Sequence, residues 1–142
     1  MVRAGGPPLL FGGGVDATFR RMTEFGAGWI MGGGSPATFA AGAEKARRAW
    51  SEAGRAGQPR LAAVCYVSLG DDADSRARRY LSDYYAYLGE YAAQAADSAL
   101  TTPDMVAHAL EAFSEAGCDE LILFPCNPNI AQVALTAKAV GL

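Results

Sequence analysis

The stretch FGGGVDATF, residues 11–19, joins a short apolar run to three glycines and then to the start of a helix. Backbone N–H groups at such a turn, aimed together with the positive end of a helix dipole, make a site for a phosphate or another anion. The pattern is not G-x-x-x-x-G-K-[ST], because no lysine follows. Nor does it carry the G-x-G-x-x-G spacing with an acidic residue about 20 positions on. A plain tight turn is the competing reading, and Asp16 favours it, since a carboxylate capping the helix would occupy the same donors and repel a dianion.

The other reactive side chains point to less. His108 is the only histidine, so neither a multi-histidine metal site nor a serine triad is expected, and no metal is. Its place one position off an apolar helical stripe reads as a partly exposed structural residue. Cys65, Cys118 and Cys126 are odd in number and form no C-x-x-C, which reads as small apolar core residues rather than a disulfide framework or zinc site. Cys126 follows the last expected strand, yet nothing near it in sequence would lower a thiol pKa. No catalytic residue is assigned. Tyr80, Tyr84, Tyr85, Tyr87 and Tyr91 spread around a helix, where packing or an interface explains them. Arg78 and Arg79 read as a solvated face.

The elements that must position these residues alternate between strand and helix. Residues 8–14 read as a strand entering a turn, followed by a helix with Asp16 as its cap, Phe19 and Met22 on one face, and Gly26 past its end. GWIM is a second strand, and Ser35 with Pro36 starts a helix whose stripe is Phe39, Ala43, Ala46, Trp50 and Ala53. Residues 59–70 form a strand buried on both faces. Asp71 or Asp72 caps a long helix with the stripe Ala73, Ala77, Leu81, Tyr84, Leu88 and Tyr91, and a break is expected over residues 94–100. Thr102 and Pro103 open a helix through Val106, Leu110 and Phe113 that stops at Gly117. Residues 119–125 are the last strand, and Asn127 and Pro128 begin a closing helix through Ile130, Val133, Ala137 and Val140. The result is an α/β chain with four parallel strands and an extra helix before the last. Chemistry in such architectures gathers where strands end and helices begin, here at residues 12–18, 32–35, 68–72 and 124–127.

Composition narrows the classes. The chain has 142 residues, of which 51% are hydrophobic and 19% charged, enough for a globular domain with its own core. A formal charge of −3 gives no footprint for nucleic acid or an anionic membrane. No apolar run is long enough for a membrane span or a signal peptide, so a cytoplasmic location is expected.

PPLLFGGGVDATFRRMTEFGAGWIMGG, then SPATF, the A-G-R-x-G-x-P-R-L connection at 53–61, YLSDYY, and A-G-C-D-E-L-I-L-F-P at 116–125 together resemble the C-terminal half of a luciferase-like flavin-dependent oxidoreductase (monooxygenase). The ordered set carries the resemblance rather than any one motif. It implies four βα units of a TIM-type (β/α)8 barrel, hence one half-barrel domain over 1–142. A whole barrel takes roughly 250 residues. Family members bind FMN or the deazaflavin F420 at the C-terminal ends of the strands, and transfer hydride or activate oxygen. By position, the resemblance puts Gly13, Gly14, Val15 and Thr18 near the cofactor phosphate. Asp16 and Ala27 depart from the family pattern, the latter where an aspartate is common.

The resemblance also implies that strands one to four are absent and that MVRAGGPP corresponds to the connection into the fifth. A half barrel exposes two edges and an apolar inner face. A homodimer, a separate N-terminal half-barrel, or closure as an open sheet would cover them. The expected function is thus an FMN- or F420-dependent oxidoreductase that needs a partner half or self-association. The alternatives are a non-catalytic truncated paralogue serving as a binding module, and a small open domain of flavodoxin type, which strand order distinguishes. Neither the substrate nor the choice of cofactor follows from these residues.

Overall fold

The structure, a computed structural model, describes residues 6–142; Met1 to Gly5 of the expected entry segment lie outside the described residues. The elements are β1 (Leu10–Gly12), α1 (Asp16–Phe25), β2 (Gly28–Met31), α2 (Pro36–Glu52), β3 (Arg60–Val67), α3 (Ala73–Tyr84), a 3-10 turn (Ala86–Leu88), α4 (Glu90–Asp97), α5 (Pro103–Glu115), β4 (Glu120–Pro125) and α6 (Ala131–Ala139).

The four strands pair in the order β1-β2-β3-β4, all in parallel, with Gly12, Ile30, Ala62 and Glu120 in one row. Strands neighbouring in sequence order are those of a barrel wall. A flavodoxin-type sheet, of order 2-1-3-4-5, would place its first strand between the second and third, so that reading is overturned.

Alternation along each strand assigns its two faces. Leu61, Ala63 and Cys65 of β3 join Trp29, Met31, Phe39, Trp50 and Phe113 in the main core between sheet and helices. The intervening residues of β3 and β4, including Tyr66, Ile122 and Phe124, point to the opposite, concave side, where Ile122 and Phe124 remain 38% and 44% exposed. β1 and β4 each have a strand partner on one side only among the described residues. The chain is therefore four βα units of a barrel wall with its inner face open.

Close approach demands glycine at two core positions. A Cβ on Gly28 would lie 1.9 Å from the Arg60 carbonyl oxygen, and one on Gly42 would lie 2.3 Å from the Trp29 ring. The arginine of the A-G-R-x-G-x-P-R-L connection also has a visible role. Arg55 lies 4.0 Å over the Trp50 ring and donates to the carbonyls of Thr23 and Gly26, satisfying the C-terminal end of α1.

Ser35 and Thr102 cap α2 and α5 as expected, each accepting from a backbone N–H three residues on. Three expectations differ. The α1 N-cap is Val15, and Asp16 is the first helical residue, with no side-chain cap hydrogen bond.

The long helix expected from Ala73 to Tyr91 is broken at residues 85–89, where Gly89 takes φ +58°, and residues 94–97 are helical rather than a break. The turn folds α4 back on α3, so that Ala77 and Leu81 bury against Ala96 and Ala99, while Tyr84, Leu88 and Tyr91 stay exposed.

The closing helix begins later and shows a different face. Ile130 and Val133 are 84% and 64% exposed, and Gln132 is buried, its amide donating to the Leu69 carbonyl and accepting from the Leu69 N–H. Satisfying that buried backbone outweighs the apolar register that the sequence suggests.

Candidate functional site

The glycine turn stands at the junction of β1 and α1, and two hydrogen bonds hold its shape. Gly13 takes φ +114°, a conformation that a residue with a Cβ rarely adopts. Its carbonyl accepts from the indole Nε1 of Trp29 at 2.8 Å, which ties the turn to β2. Behind it, the buried Thr18 puts its hydroxyl 2.9 Å from where a Gly13 Cβ would project, and the Thr18 N–H donates back to the Val15 carbonyl at 2.8 Å.

Gly14 is the open side of the turn, with nothing within 4 Å of where its Cβ would lie. No side chain caps the α1 N-terminus. The objection that Asp16 occupies its donors is thereby removed, although the carboxylate remains in the first turn. A glycine-made hollow at an uncapped helix start has room for an anion beside free backbone donors, with the Asp16 carboxylate opposing it.

Gly13 and Gly14 open into a cavity of about 480 Å³ whose other walls include Trp29, Met31, Lys45 and Tyr91. Of the expected site residues, Gly13 and Gly14 thus share one wall. Val15 is exposed beside it at the helix cap, and Thr18 buttresses it from behind. Lys45 and Tyr91 were not read as site residues from the sequence. They arrive from α2 and α4, on separate elements, and the only local signal is the glycine-rich turn at 32–34, whose Gly32 and Gly33 face the same cavity.

Tyr91 belongs to a larger aromatic group. Phe124 packs on Tyr66, Tyr66 on Tyr85, and Tyr85 on both Tyr84 and Tyr91, with centroids 4.8–6.1 Å apart. The Tyr66 and Tyr85 hydroxyls are hydrogen-bonded. Burial, and next that bond, push the Tyr66 phenol well above its ordinary range, so it is held neutral. The group spans the C-terminal ends of β3 and β4, while Tyr87 points to solvent.

Cys126 is buried beneath Tyr66 and Tyr80, and burial pushes its thiol up to about 11. Cys65 reaches about 11 chiefly for the same reason. Neither is a thiolate nucleophile at neutral pH. His108 is exposed on α5, at the rim of an apolar hollow that Cys65 and Phe113 also line. Among the described residues, no three metal-ligating side chains gather, and no helix is long and apolar enough to cross a membrane.

Residues 2–108 match the family model of luciferase-like monooxygenases. No curated protein sequence matches the chain. Solved structures do. An F420-dependent secondary alcohol dehydrogenase in complex with an F420–acetone adduct superposes with a TM-score of 0.72 at 17% identity, over 94% of this chain and 48% of that one. A riboflavin lyase with modified FMN and riboflavin gives 0.69 at 13% identity, over 95% of this chain and 42% of that one. EDTA monooxygenase from Chelativorans sp. BNC1 gives 0.66 at 14% identity, over 98% of this chain and 47% of that one. The chain spans about half the length of these structures, and at such identities the likeness speaks for the fold. The family match covers most of the chain, over the same turns and strands that build the cavity, and so this chain belongs to the luciferase-like monooxygenase family.

Proposed function

We propose that this chain is the phosphate-binding half of an FMN- or F420-dependent oxidoreductase, with Gly13, Gly14, Val15 and Thr18 around the cofactor phosphate. The observation that carries this reading is the shape of the glycine turn. Gly13 takes φ +114° with its carbonyl bonded to the Trp29 indole and with Thr18 filling the place of a Cβ, and Gly14 leaves the space in front of an uncapped helix open. When bound, such a cofactor supplies hydride transfer or oxygen activation.

The chain's own residues bind and orient it. Backbone amides at the turn take the phosphate, Trp29 and Met31 shield the cavity from water, and Tyr91 closes its rim. A complementary half-barrel, on a second copy of this chain or as an N-terminal half, completes the barrel. The exposed concave face at Ile122 and Phe124 and the unpaired strand edges support this.

A binding module that keeps the fold without the chemistry is the second reading. It is favoured by the neutral, buried thiols at the β3 and β4 ends.

Gly14→Val tests the proposal. The site has open space there, so the variant should fold normally yet lose FMN or F420 affinity by about tenfold or more, as occupation of the hollow requires. Unchanged affinity for a bound cofactor would make the turn structural, and no binding by the wild-type chain would favour the second reading.

A further inference from the structure

Asn127 is only 8% exposed, yet half of its side chain is unused. Its Oδ1 accepts from the Asn129 N–H at 3.1 Å, which fixes the amide and leaves Nδ2 as the atom without a partner among the described residues. Nδ2 is not sealed in, because the sealed and unpartnered side-chain atoms among the described residues are the hydroxyls of Ser68 and Thr136. A buried residue that keeps a free donor calls for an acceptor in front of it.

In front of it lies a hollow of about 330 Å³ at the C-terminal end of β4, walled by Cys126, Asn127 and Pro128 and by one face of α3. That face presents Arg76, Arg79, Tyr80 and Asp83 at helical spacing. Arg78, on another face of the helix, pairs with Asp74 and Asp97. Arg76 and Arg79 are exposed and make no ion pair among the described residues. Burial keeps the Tyr80 phenol and the Cys126 thiol protonated at neutral pH. The charges facing the hollow are therefore two guanidiniums and the Asp83 carboxylate, which stands two turns and about 10 Å along the axis from Arg76.

This chemistry selects a class of ligand. Two guanidiniums and a fixed amide nitrogen are donors without acceptors, and the group that answers them is an oxyanion. The rest of the wall is apolar. The Tyr80 ring, stacked on Tyr84 at 6.1 Å, stands with Cys126 and Pro128 as a surface that a bare inorganic ion leaves wet and a carbon body covers.

We infer that the hollow between α3 and the end of β4 binds a small organic acid, its carboxylate held by Asn127 Nδ2, Arg76 and Arg79 and its carbon body covered by Tyr80, Cys126 and Pro128. Asp83 repels a carboxylate at its own end and so directs it towards Arg76. The site uses no residue of the glycine turn, so it goes beyond the cofactor reading and stands or falls separately from it.

The test is a heteronuclear NMR titration of the full chain, read at the Asn127 side-chain amide and at the backbone of residues 76–83 and 126–128. The probes are benzoate, its neutral isostere benzamide, and inorganic phosphate, each at about 20 mM and about 500 mM salt. Benzoate should shift these signals with a dissociation constant of about a millimolar or tighter, and benzamide should bind about tenfold more weakly. High salt should narrow the difference, because the guanidiniums are exposed. Asn127→Asp keeps the acceptor for the Asn129 N–H and replaces the free donor by an oxygen, so it should weaken benzoate about tenfold or more and leave benzamide within about twofold. Arg76→Gln/Arg79→Gln, at two exposed positions, should erase the preference for benzoate and decides the matter if the Asn127 variant does not fold. Equal binding of benzoate and benzamide, shifts confined to other residues, or no response to benzoate would overturn the inference. Phosphate binding more tightly than benzoate would overturn it as well, since the apolar wall would then have no part in recognition.

Discussion

The indole N–H of Trp29 reaches from β2 to the carbonyl of Gly13, sixteen residues earlier, at 2.8 Å. One side chain thereby anchors the core, where it packs between Phe19 and Phe39, and fixes the turn that forms the candidate phosphate site. Trp29→Phe keeps most of the ring and removes the donor. The part-buried carbonyl loses its partner, for which a destabilisation of about 1–2 kcal/mol is expected in denaturant unfolding. Cofactor affinity should fall several-fold more than in a control of equal stability loss on the far side of the core.

Gly42→Ala separates helix propensity from packing. In a helix interior alanine is favoured by about 1 kcal/mol, yet here the added Cβ would stand 2.3 Å from the Trp29 ring. Overpacking should win, with a net loss of about 1–3 kcal/mol. A rise in melting temperature would show that the indole has room to move.

Gly13→Ala meets two obstacles, the φ of +114° and the Thr18 hydroxyl 2.9 Å from the new methyl group. A loss of about 1–3 kcal/mol is expected. Adding Thr18→Ala removes the contact and leaves the backbone strain, so the double variant should recover only part of the loss. Full recovery would assign the whole cost to Thr18.

Burial pushes the thiols of Cys65 and Cys126 up to about 11, against about 8.5 in an unfolded chain. Between these values the unfolded state has released protons that the folded state keeps. Stability therefore falls as pH rises from about 8.5 towards 11 and is unaffected by these thiols below that window. Unfolding midpoints across the range should show the decline, and it should shrink in Cys65→Ala/Cys126→Ala. A disulfide-exchange reagent at pH 8 should modify both sites in the unfolded protein and spare them in the native one.

Ile122→Glu probes the concave face. The side chain is partly exposed, so the fold should survive with a small change in melting temperature. Assembly with a second half should weaken, read as a shift to monomer in sedimentation velocity. An unchanged particle mass would place the association surface elsewhere, or show that the chain stays monomeric.

The turns that matter were legible because they are local. Glycines at 12–14 and 32–34, Ser35 with Pro36, and Thr102 with Pro103 act through their own backbone or through a bond three residues away, and chemistry at that range is written in adjacent letters. Asp16 was misread at the same range. Asp16 is the better cap by residue type, but the fold put Val15, which has no polar side chain to cap with, at that position. The α3–α4 reversal hid behind a continuous stripe, since Gly89 takes φ +58° in order to bury Ala96 and Ala99 on Leu81, a gain that no local window contains. The face of α6 was hidden for a similar reason, because Gln132 is buried to satisfy Leu69, sixty-three residues away.

By itself the sequence determined the parallel α/β class and the glycine turn, because periodicity, capping and backbone freedom are short-range properties, while the barrel family was carried by the resemblance of its ordered motifs. The tertiary structure decided the strand order, the Trp29 anchor, and the meeting of Gly13, Gly14, Lys45 and Tyr91 around one cavity. Those residues come from three separate parts of the chain. Only the packing of helices on the sheet brings them together, since a cavity is what several surfaces leave between them and belongs to no single segment.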